Sequence, residues 1–341
     1  MDGAGRGRPK TWWGALLAAS TVVSLGCGEE AIEPPPEEPP GITVVTFNTG
    51  TTGGLGHDTP PDDGYGSAQA ELSDLYYGDG LAWTAVVEDT EAFFAELQPD
   101  VVVFQEIFYS GDCPSVPAEA KLGFVCETWQ PGDPTVAQRV LGAGYQVACN
   151  LGKPDKCAGI RKDFGTFAGC EADLCLDGLA GAPVPDCGSG SRVGRAVVER
   201  ADGSTFTLVN VHGTSGLTQE DQDCRLAQFT QVFEDLGIGD GPAANGEVNL
   251  VMGDLNTDPS FTAEFDESGA KFLEHVGEGK PYHFISDIGD DAPKSYGLFN
   301  IDHVVSDTFE GDCQIPGLTP GTSPVSDVTY FDHEPVVCTL R

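Results

Sequence analysis

The sequence predicts an α/β fold for one folded domain. Short runs of apolar and β-branched residues recur along the chain, and helical patterns or long loops separate them. Strands that alternate with helical segments are typical of α/β proteins. A hydrophobic share of 40% and 18 phenylalanines supply the apolar surface that a core requires. The 341 residues accommodate a domain of roughly 250–300 residues and an N-terminal appendage.

The first 26 residues resemble an export signal. Basic residues within 6–10 precede an apolar run over 12–23, which is too short to span a membrane. The run leads to Gly26 and Cys27, as in bacterial lipoprotein signals, where cleavage before the cysteine leaves it to carry lipid; Ser24 replaces the usual leucine. An ordinary secretory signal is the alternative. Both predict an exported chain, either an outer-membrane or cell-surface lipoprotein or a secreted protein.

The segment that follows the signal is acidic and rich in proline. This composition over 27–40 favours an extended tether rather than a helix or a strand. The folded domain is therefore expected over 41–341.

Two strands and a helix are predicted near the start of the domain. The run over 42–47 is β-branched and apolar, and Asn48 follows it. A helical pattern over 81–97 precedes a second apolar strand over 101–106, whose last residue is Glu106. Both polar side chains are therefore expected at strand ends.

Later strands also lie beside polar residues, and a second helix is predicted over 221–236. The strands and their polar residues are 205–212 with His212, 248–254 with Asp254 and Asn256, 300–305 with Asp302, and 334–340 directly after Asp332 and His333. Each residue alone has a structural explanation in a turn or a cap. Their repetition predicts a site, because binding and catalytic residues concentrate at strand ends in α/β sheets.

Cysteine usage predicts disulfide bonds. Of 11 cysteines, the ten that remain after Cys27 form an even set, which in an exported chain indicates a disulfide framework. Zinc is the competing interpretation, and the lack of any C-x-x-C spacing in the sequence argues against it. Cys170 with Cys175 and Cys313 with Cys338 are expected local pairs, and the full connectivity stays open.

Residues from about 110 to 191 hold seven of these ten cysteines and many glycines and prolines, so we predict a loop-rich, disulfide-rich insertion. Cations also gather there and just beyond it, and residues 151–200 are formally neutral. These cations form an anion-binding rim, with Arg192 and Arg195 as candidate substrate-binding residues, or they pair with neighbouring acids. The six cations of this rim hypothesis are Lys153, Lys156, Arg161, Lys162, Arg192 and Arg195.

The net charge limits the partners of the protein. Lys and Arg number 17 and Asp and Glu 54, so the formal charge is −37 and the average surface repels polyanions. Tight, nonspecific binding to nucleic acid is disfavoured, because it depends on cationic neutralisation of phosphates. A brief encounter with nucleic acid in a metal-neutralised cleft remains compatible with this charge.

The residues at the strand ends suit one reaction. Carboxylates and amides are the ligands that hard cations such as Mg²⁺ or Ca²⁺ prefer, and Glu106 with Asp332 offers two carboxylates. Two histidines with several carboxylates and no cysteine ligand fit phosphoester hydrolysis. In that reaction a metal polarises the phosphoryl oxygen and side chains transfer protons.

Six segments, in order from 46 to 337, resemble the signature of the endonuclease/exonuclease/phosphatase superfamily: TFNTG, QPDVVVFQEIF, LVNVHGTSG, LVMGDLNTDP, NIDHVV and FDHEPVV. That superfamily includes deoxyribonuclease I, abasic-site endonucleases, inositol-polyphosphate phosphatases and bacterial sphingomyelinases. The resemblance implies a deoxyribonuclease I-like fold, a four-layer α/β sandwich of two packed mixed β-sheets flanked by helices.

The resemblance also implies a metal site. Glu106 is similar to the principal metal-ligating glutamate, Asn48 to the asparagine beside the metal and the phosphate, and Asp332 to a second metal ligand. The expected cofactor is Mg²⁺, with Mn²⁺ or Ca²⁺ as alternatives.

The same resemblance implies five catalytic residues. Asp254 matches the aspartate that orients or deprotonates the attacking water, and Asn256 matches the asparagine that helps to hold the phosphate. His333 is expected to contact the scissile phosphate or to act as general acid or base, with Asp302 pairing to its imidazole. His212 matches the histidine of the deoxyribonuclease and sphingomyelinase branches, which argues against the abasic-site branch.

Two positions depart from the superfamily pattern. Phe331 replaces the usual serine before Asp332 and His333, so a hydroxyl near the phosphate is missing. His303 replaces the aromatic residue that often follows the position of Asp302. We favour a structural role for His303 in its strand over a third titrating group.

The predicted function is that of a secreted, metal-dependent phosphoesterase that hydrolyses phosphodiester bonds in nucleic acid or phospholipid headgroups. The alternatives are a catalytically silent surface-binding protein on the same fold and a small-molecule phosphatase. A membrane contact is expected through the lipid anchor, no protein partner is inferred, and the chain is expected to be a monomer. The insertion is polar and rich in glycine, so no membrane-dipping wedge is predicted there.

Overall fold

The structure is a computed structural model that describes residues 41–50, 65–78, 80–188, 192–239, 241–287, 289 and 292–341. The predicted signal peptide over 1–26 and the tether over 27–40, with Cys27, lie outside the described residues.

The elements alternate along the chain as an α/β fold requires. The strands are β1 (Ile42–Asn48), β2 (Val101–Gln105), β3 (Tyr145–Asn150), β4 (Lys153–Arg161), β5 (Gly165–Phe167), β6 (Leu174–Leu179), β7 (Arg192–Arg200), β8 (Thr205–His212), β9 (Asn249–Asp254), β10 (His283–Phe284), β11 (Asp302–Ser306), β12 (Gly311–Gln314) and β13 (Val336–Leu340). The α-helices are α1 (Ser67–Tyr76), α2 (Thr84–Leu97), α3 (Val136–Leu141), α4 (Gln219–Phe233), α5 (Pro259–Thr262) and α6 (Glu267–Leu273). Short 3₁₀ helices cover Ser110–Ser115, Ala118–Ala120 and Val125–Glu127.

The helix predicted over 81–97 shows how local sequence sets these bounds. Apolar Val86, Val87 and Phe94 are buried on one face of α2. The helix ends at Leu97, because the capping residue Gln98 adopts a left-handed conformation directly before Pro99, a residue that cannot continue the helix. The chain then enters β2, so this break fixes where the second strand begins.

The strands form two mixed sheets. One sheet has seven strands in the order β12-β13-β1-β2-β4-β3-β6, and the other has six in the order β10-β11-β9-β8-β7-β5. The pairs β1–β2 and β8–β9 are parallel, whereas β1–β13 and β9–β11 are antiparallel. Each sheet therefore contains both parallel and antiparallel strand pairs.

Three apolar cores separate four layers. The core between the sheets joins Val103 and Ile160 of the seven-stranded sheet to Leu208 and Met252 of the six-stranded sheet. A second core covers the outer face of the seven-stranded sheet with α2 and α3, and a third covers the outer face of the six-stranded sheet with α4 and α6. The predicted four-layer sandwich of two packed mixed sheets is confirmed.

The strand directions bring distant residues to one end of the sandwich. Because β1 and β2 are parallel, Asn48 lies opposite Gln105 where both strands end. Because β8 and β9 are parallel, His212 lies opposite Asp254, and the antiparallel β11 places Asp302 on the other side of Asp254. The polar strand ends therefore converge.

The prediction of a loop-rich insertion over about 110–191 is wrong for its central part. Residues from Tyr145 to Leu179 contribute β3, β4 and β6 to the seven-stranded sheet and β5 to the six-stranded sheet. Cysteine and glycine interrupt the apolar pattern of these strands, and they serve close packing: a Cβ on Gly159 would lie 2.3 Å from Leu141 Cδ1. Before Tyr145 the segment contains the three short 3₁₀ helices and α3.

Five disulfides join the ten cysteines of the domain and confirm the predicted framework. The pairs are Cys113–Cys126, Cys149–Cys157, Cys170–Cys175, Cys187–Cys224 and Cys313–Cys338. The two expected local pairs, Cys170–Cys175 and Cys313–Cys338, are among them. Within the described ranges, no helix is long and apolar enough to cross a membrane.

Candidate active site

A cleft of about 390 Å³ opens at the end of the sandwich where the polar strand ends meet. Its walls combine carboxylate, amide, imidazole and aromatic side chains. The lining residues are Asn48, Glu106, His212, Ser215, Gly216, Leu217, Asp254, Asn256, Thr257, Asp258, Thr262, Asp266, Tyr296, Phe299, Ile301, Asp332 and His333.

Asp254 lies at the centre of this arrangement and is fully buried. Its Oδ2 accepts hydrogen bonds of 2.9 Å from both Asn48 Nδ2 and Asn256 Nδ2, and its Oδ1 accepts one of 2.8 Å from the Asn256 backbone. The Nε2 atoms of His212 and His333 each lie 3.8 Å from Oδ2. Three side chains from distant parts of the sequence, together with that of Asn256, therefore surround one carboxylate.

Burial raises the pKa of Asp254, and the nearby charge of Asp302 adds to this effect. The positive charge of His333 and the hydrogen bonds from Asn48 and Asn256 lower the pKa but do not outweigh burial. A carboxyl whose anion is disfavoured by burial and held by fixed amides is suited to accept a proton or to orient a water.

His333 and Asp302 form a buried pair. His333 Nδ1 donates to Asp302 Oδ2 over 2.8 Å, which leaves Nε2 directed toward Asp254. Burial alone would lower the pKa of His333, but the negative charges of Asp302 and Asp254 outweigh it and raise the pKa. The ring of Tyr296 lies 4.6 Å from that of His333 and covers it. The imidazole is therefore fixed in orientation, and its protonated form is stabilised.

His212 is held differently. Its Nε2 lies 3.4 Å from Glu106 Oε1, and its backbone carbonyl accepts a 2.9 Å hydrogen bond from Gln228 Nε2. Burial, with the positive charges of Lys156 and His333, lowers the pKa of His212 well below its ordinary value. The two histidines of the cleft therefore differ: the protein favours a neutral His212 and a charged His333.

Glu106 and Asp332 present carboxylates that suit a divalent cation. Glu106 adopts a left-handed backbone with φ of 58°, and a Cβ on Gly50 would lie 2.1 Å from Glu106 Oε2, so a side chain at position 50 would displace this carboxylate. Among the described residues, no hydrogen-bond partner reaches the buried Oδ1 of Asp332. Burial raises the pKa of both carboxyls. With the amide oxygen of Asn48, this is an oxygen donor set of the kind that Mg²⁺ binds.

A second group of ligand atoms lies close by. One atom each from Asp254, Asp302 and His333 fall within 4.8 Å of one another. Because Nδ1 of His333 already donates to Asp302, this group is better described as a hydrogen-bonded triad than as a metal site. The carboxylate oxygens of Glu106 and Asp332, which line the cleft, fit a cation better than this triad does.

Arg225 supports the cleft wall, although no motif or pattern in the sequence indicates it. The side chain is fully buried; Nη1 donates to the carbonyls of Thr214 over 2.6 Å and Gly216 over 2.7 Å, and Nη2 contacts Asp266 Oδ2 over 3.2 Å. Asp266 Oδ1 in turn accepts from the backbone N of Ser268 over 3.0 Å, at the start of α6. The loop that follows His212 is therefore tied to two helices.

Most of the predicted site residues meet in the cleft. Of the eight residues expected to bind metal or catalyse, seven line it, and the eighth, Asp302, lies directly behind His333. Their chemical roles stay predictions, because placement alone does not test them.

The two candidate substrate-binding arginines lie elsewhere. Among the residues that the structure describes around the cleft, neither Arg192 nor Arg195 is part of the lining. Arg192 lies opposite His212 in the backbone register of β7 and β8, whereas the side chain of Arg195 donates to the carbonyl of Pro242 over 3.2 Å. Their assignment to substrate stays a prediction.

The other cations of the rim hypothesis contact neighbouring acids. Lys153 and Lys156 both contact Asp155, Arg161 contacts Asp100 and Asp163, and Lys162 contacts Asp173. The alternative of paired charges therefore describes these four residues better than an anion-binding rim.

Both departures from the superfamily pattern have structural explanations. The ring of Phe331 packs edge-on against Phe47 with centroids 4.9 Å apart, so apolar packing replaces the missing hydroxyl. His303 is buried, and its ring nitrogens bond the Ser286 hydroxyl at 3.0 Å and the Asn300 carbonyl at 2.8 Å. With both nitrogens occupied, His303 is a strand residue.

Two further residues of the cleft, Asp258 and Tyr296, were not among those predicted from the sequence. Asp258 belongs to the quoted segment LVMGDLNTDP, so a signal for it existed; its Oδ2 accepts a 3.0 Å hydrogen bond from the Asn300 backbone. Tyr296 lies in a polar loop with no periodic pattern, and nothing in its local sequence indicates contact with His333.

No family model matches the chain, and no curated protein matches it in sequence. Solved structures that match it include a humanised TDP2 from D. rerio, with 14% identity, 88% of this chain and 98% of that chain covered, and a TM-score of 0.49. A beta toxin mutant from Staphylococcus aureus with bound magnesium ions matches at 13% identity. The match covers 88% of this chain and 99% of that chain, with a TM-score of 0.49. An endonuclease/exonuclease/phosphatase from Beutenbergia cavernae matches at 14% identity, with 89% of this chain and 72% of that chain covered and a TM-score of 0.47.

Each of these TM-scores is below 0.5. The four-layer architecture is therefore established by the sheets and cores of the chain itself. The resemblance to the endonuclease/exonuclease/phosphatase superfamily is carried by the six sequence motifs, whose polar residues meet in one cleft.

Proposed function

We propose that the protein is a metal-dependent phosphoesterase whose cleft hydrolyses a phosphodiester bond. The observation that supports this most strongly is the convergence on Asp254 of Asn48, Asn256, His212 and His333. These residues come from four of the six motifs. A binding module on the same fold would not need this arrangement of acid, amide and imidazole groups.

The metal would be Mg²⁺, held by Glu106, Asp332 and Asn48. Two observations support this set: Asp332 Oδ1 is buried without a hydrogen-bond partner among the described residues, and Glu106 Oε2 lies in the space beside Gly50. A bound divalent cation supplies positive charge that polarises a phosphoryl oxygen.

The remaining residues position water and move protons. Asp254 orients the attacking water, and its carboxylate is fixed for this by the amides of Asn48 and Asn256. His333 presents Nε2 to the cleft, where it contacts the phosphate or protonates the leaving oxygen, while Asp302 holds its Nδ1 proton. General acid–base assistance of this kind contributes about 10²–10⁴-fold to a rate.

The site of action would be outside the cytoplasm. Five disulfides within one domain are characteristic of proteins in an oxidising compartment, which supports export. Attachment to a membrane through a lipid on Cys27 is part of the same proposal.

The test is hydrolysis of bis-p-nitrophenyl phosphate by the purified chain. We expect activity in Mg²⁺ or Mn²⁺, none in EDTA, and a loss of at least about 10²-fold in His333→Ala. The matched control is His283→Ala, because His283 is half-buried in β10 and bonds the Phe309 carbonyl at 2.7 Å. Activity that persists in EDTA, or in His333→Ala at the control rate, would show that the mechanism is wrong.

A further inference from the structure

An exposed apolar surface borders the cleft. It consists of Leu217, Phe261, Phe265 and Leu298, whose exposed fractions are 70%, 57%, 61% and 84%, and we call these four residues the apolar rim. The ring of Phe261 lies 6.4 Å from that of Phe265 and 5.8 Å from that of Phe299. Leu217 and Phe299 line the cleft, so the rim is continuous with the candidate active site.

The rim is assembled from three separate segments. Leu217 belongs to the loop before α4, Phe261 and Phe265 lie in and after α5, and Leu298 lies in the loop before β11. Soluble proteins seldom keep large apolar side chains together on the surface unless the patch binds something. Because three segments converge at the mouth of one cleft, the patch is best explained by the ligand of that cleft.

The charge around the rim selects the kind of surface that it fits. Segments 213–220, 259–267 and 292–299 contain one cation, Lys294, whose Nζ donates to the Gly289 carbonyl. Glu264 and Glu267 are exposed beside Phe265, and the whole chain has a formal charge of −37. Binding to nucleic acid or to an anionic bilayer depends on clusters of Lys and Arg, which these segments lack. A zwitterionic lipid presents an ammonium group outward, and acidic residues around the rim attract this group rather than repel it.

We propose that the apolar rim docks the protein onto a zwitterionic lipid surface. The rim side chains enter the interfacial layer, where aromatic and aliphatic groups partition favourably. The headgroup phosphate then faces the cleft, a step that rests on the proposed phosphodiester hydrolysis. The rim lies outside the segment 110–191, where no membrane-dipping wedge was predicted, so the contact is made by other loops.

The test measures binding to vesicles in EDTA, where no turnover is expected. The chain from residue 28 onward is sedimented with phosphatidylcholine or phosphatidylglycerol vesicles. Without the predicted signal peptide and Cys27, neither an attached lipid nor the apolar run over 12–23 contributes. We expect binding to phosphatidylcholine and little to phosphatidylglycerol. Phe261→Ser with Phe265→Ser should reduce the partition coefficient by about tenfold or more, since each buried aromatic side chain contributes strongly to transfer.

Matched variants keep this test decisive. Leu122→Ser with Leu176→Ser replaces two exposed leucines away from the cleft and should leave binding unchanged. Leu298→Ser alone should weaken binding several-fold; its side chain is 84% exposed, so the change does not threaten folding. Equal vesicle binding by rim and control variants, or a preference for phosphatidylglycerol, would overturn the proposal.

Two further measurements distinguish the lipid-docking proposal from a base-stacking surface and from the proposed function. If the rim variants lost affinity for single-stranded DNA instead of for vesicles, the rim would be a base-stacking surface and the lipid proposal would fail. Hydrolysis of soluble bis-p-nitrophenyl phosphate reports the cleft independently. Its absence in the unsubstituted chain would overturn the proposed function, while the vesicle result in EDTA would still decide the role of the rim.

Discussion

His333 donates from Nδ1 to Asp302 Oδ2 over 2.8 Å, and this contact joins the two sheets of the sandwich. Asp302 begins β11 in the six-stranded sheet, and His333 precedes β13 in the seven-stranded sheet. Because Asp302 also lies opposite Asp254 in the β9–β11 pair, the orientation of the imidazole is set by the packing of both sheets. The candidate active site is therefore a property of the whole sandwich.

Replacing Asp302 with asparagine should remove the charge that orients His333 while preserving the shape of the side chain. We expect kcat for bis-p-nitrophenyl phosphate to fall by about 10²–10⁴-fold, with a much smaller change in KM. The control is Asp312→Asn, because Asp312 forms an exposed ion pair with Arg341. A kcat for Asp302→Asn equal to that of the control would show that the pair has no part in catalysis.

Arg225→Met should destabilise the protein, because it leaves the buried carboxylate of Asp266 without its cation. Loss of one partner of a buried ion pair costs about 3–5 kcal/mol of the free energy of unfolding, which urea denaturation measures. Arg341→Met, which removes an exposed partner of Asp312, should cost at most about 1 kcal/mol. Adding Asp266→Asn to Arg225→Met should recover part of the loss; a double variant less stable than the single one would contradict this explanation.

Removal of single disulfides should destabilise in the order of the loops that they close. Cys187–Cys224 spans 37 residues and Cys170–Cys175 spans five. Loop-closure entropy gives about 4 kcal/mol for the first and about 2 kcal/mol for the second. Thermal unfolding of the paired Cys→Ser variants compares them. The reverse order would mean that residual structure in the unfolded chain dominates.

His303 should make stability depend on pH. Burial lowers the pKa of His303 to about 4, against the effect of nearby Asp258. The unfolded chain therefore takes up a proton first, at about pH 6.5, so the stability present above that pH is lost as the pH falls toward 4. The full loss is about 3 kcal/mol, from about 1.4 kcal/mol per pKa unit.

Urea denaturation between pH 7 and pH 4 measures this effect. His303→Gln should reduce the dependence by the share of His303, while the share of His212, whose pKa burial also lowers, remains. His283→Gln, at a half-buried histidine in β10, should retain the full dependence. If both variants gave the slope of the unsubstituted protein, His303 would not be the group responsible.

The strands that carry the site could be predicted from sequence because their own residues specify them. Apolar runs such as those of β1, β2, β8 and β9 need burial on both faces. Strands β1, β8 and β9 each end at a polar residue that lines the cleft, and β2 ends one residue before Glu106. The strand predicted over 205–212 agrees with β8 in both bounds.

Strands β4 and β6 could not be predicted in the same way. Charged residues occupy both ends of β4, and most of β6 is partly or fully exposed at the sheet edge, so neither shows a continuous apolar pattern. Their place in the sheet depends on pairing with β3, which is a contact between segments rather than a local preference.

The same distinction applies to the site. The motifs identify Glu106 and Asp254, whose chemistry is visible in their residue types. The roles of Arg225 and Tyr296 depend on contacts across the fold, with the loop after His212 and with the ring of His333. No local pattern in the sequence contains those contacts.

The Mg²⁺ dependence of bis-p-nitrophenyl phosphate hydrolysis, compared between the unsubstituted chain and Glu106→Gln, tests the central claim most directly. Hydrolysis should require Mg²⁺, and Glu106→Gln should lower the activity or the apparent Mg²⁺ affinity by at least about 10–100-fold. Glu310→Gln, at an exposed position away from the cleft, should match the unsubstituted chain. Identical Mg²⁺ curves for Glu106→Gln and Glu310→Gln, or hydrolysis that continues in EDTA, would contradict the account.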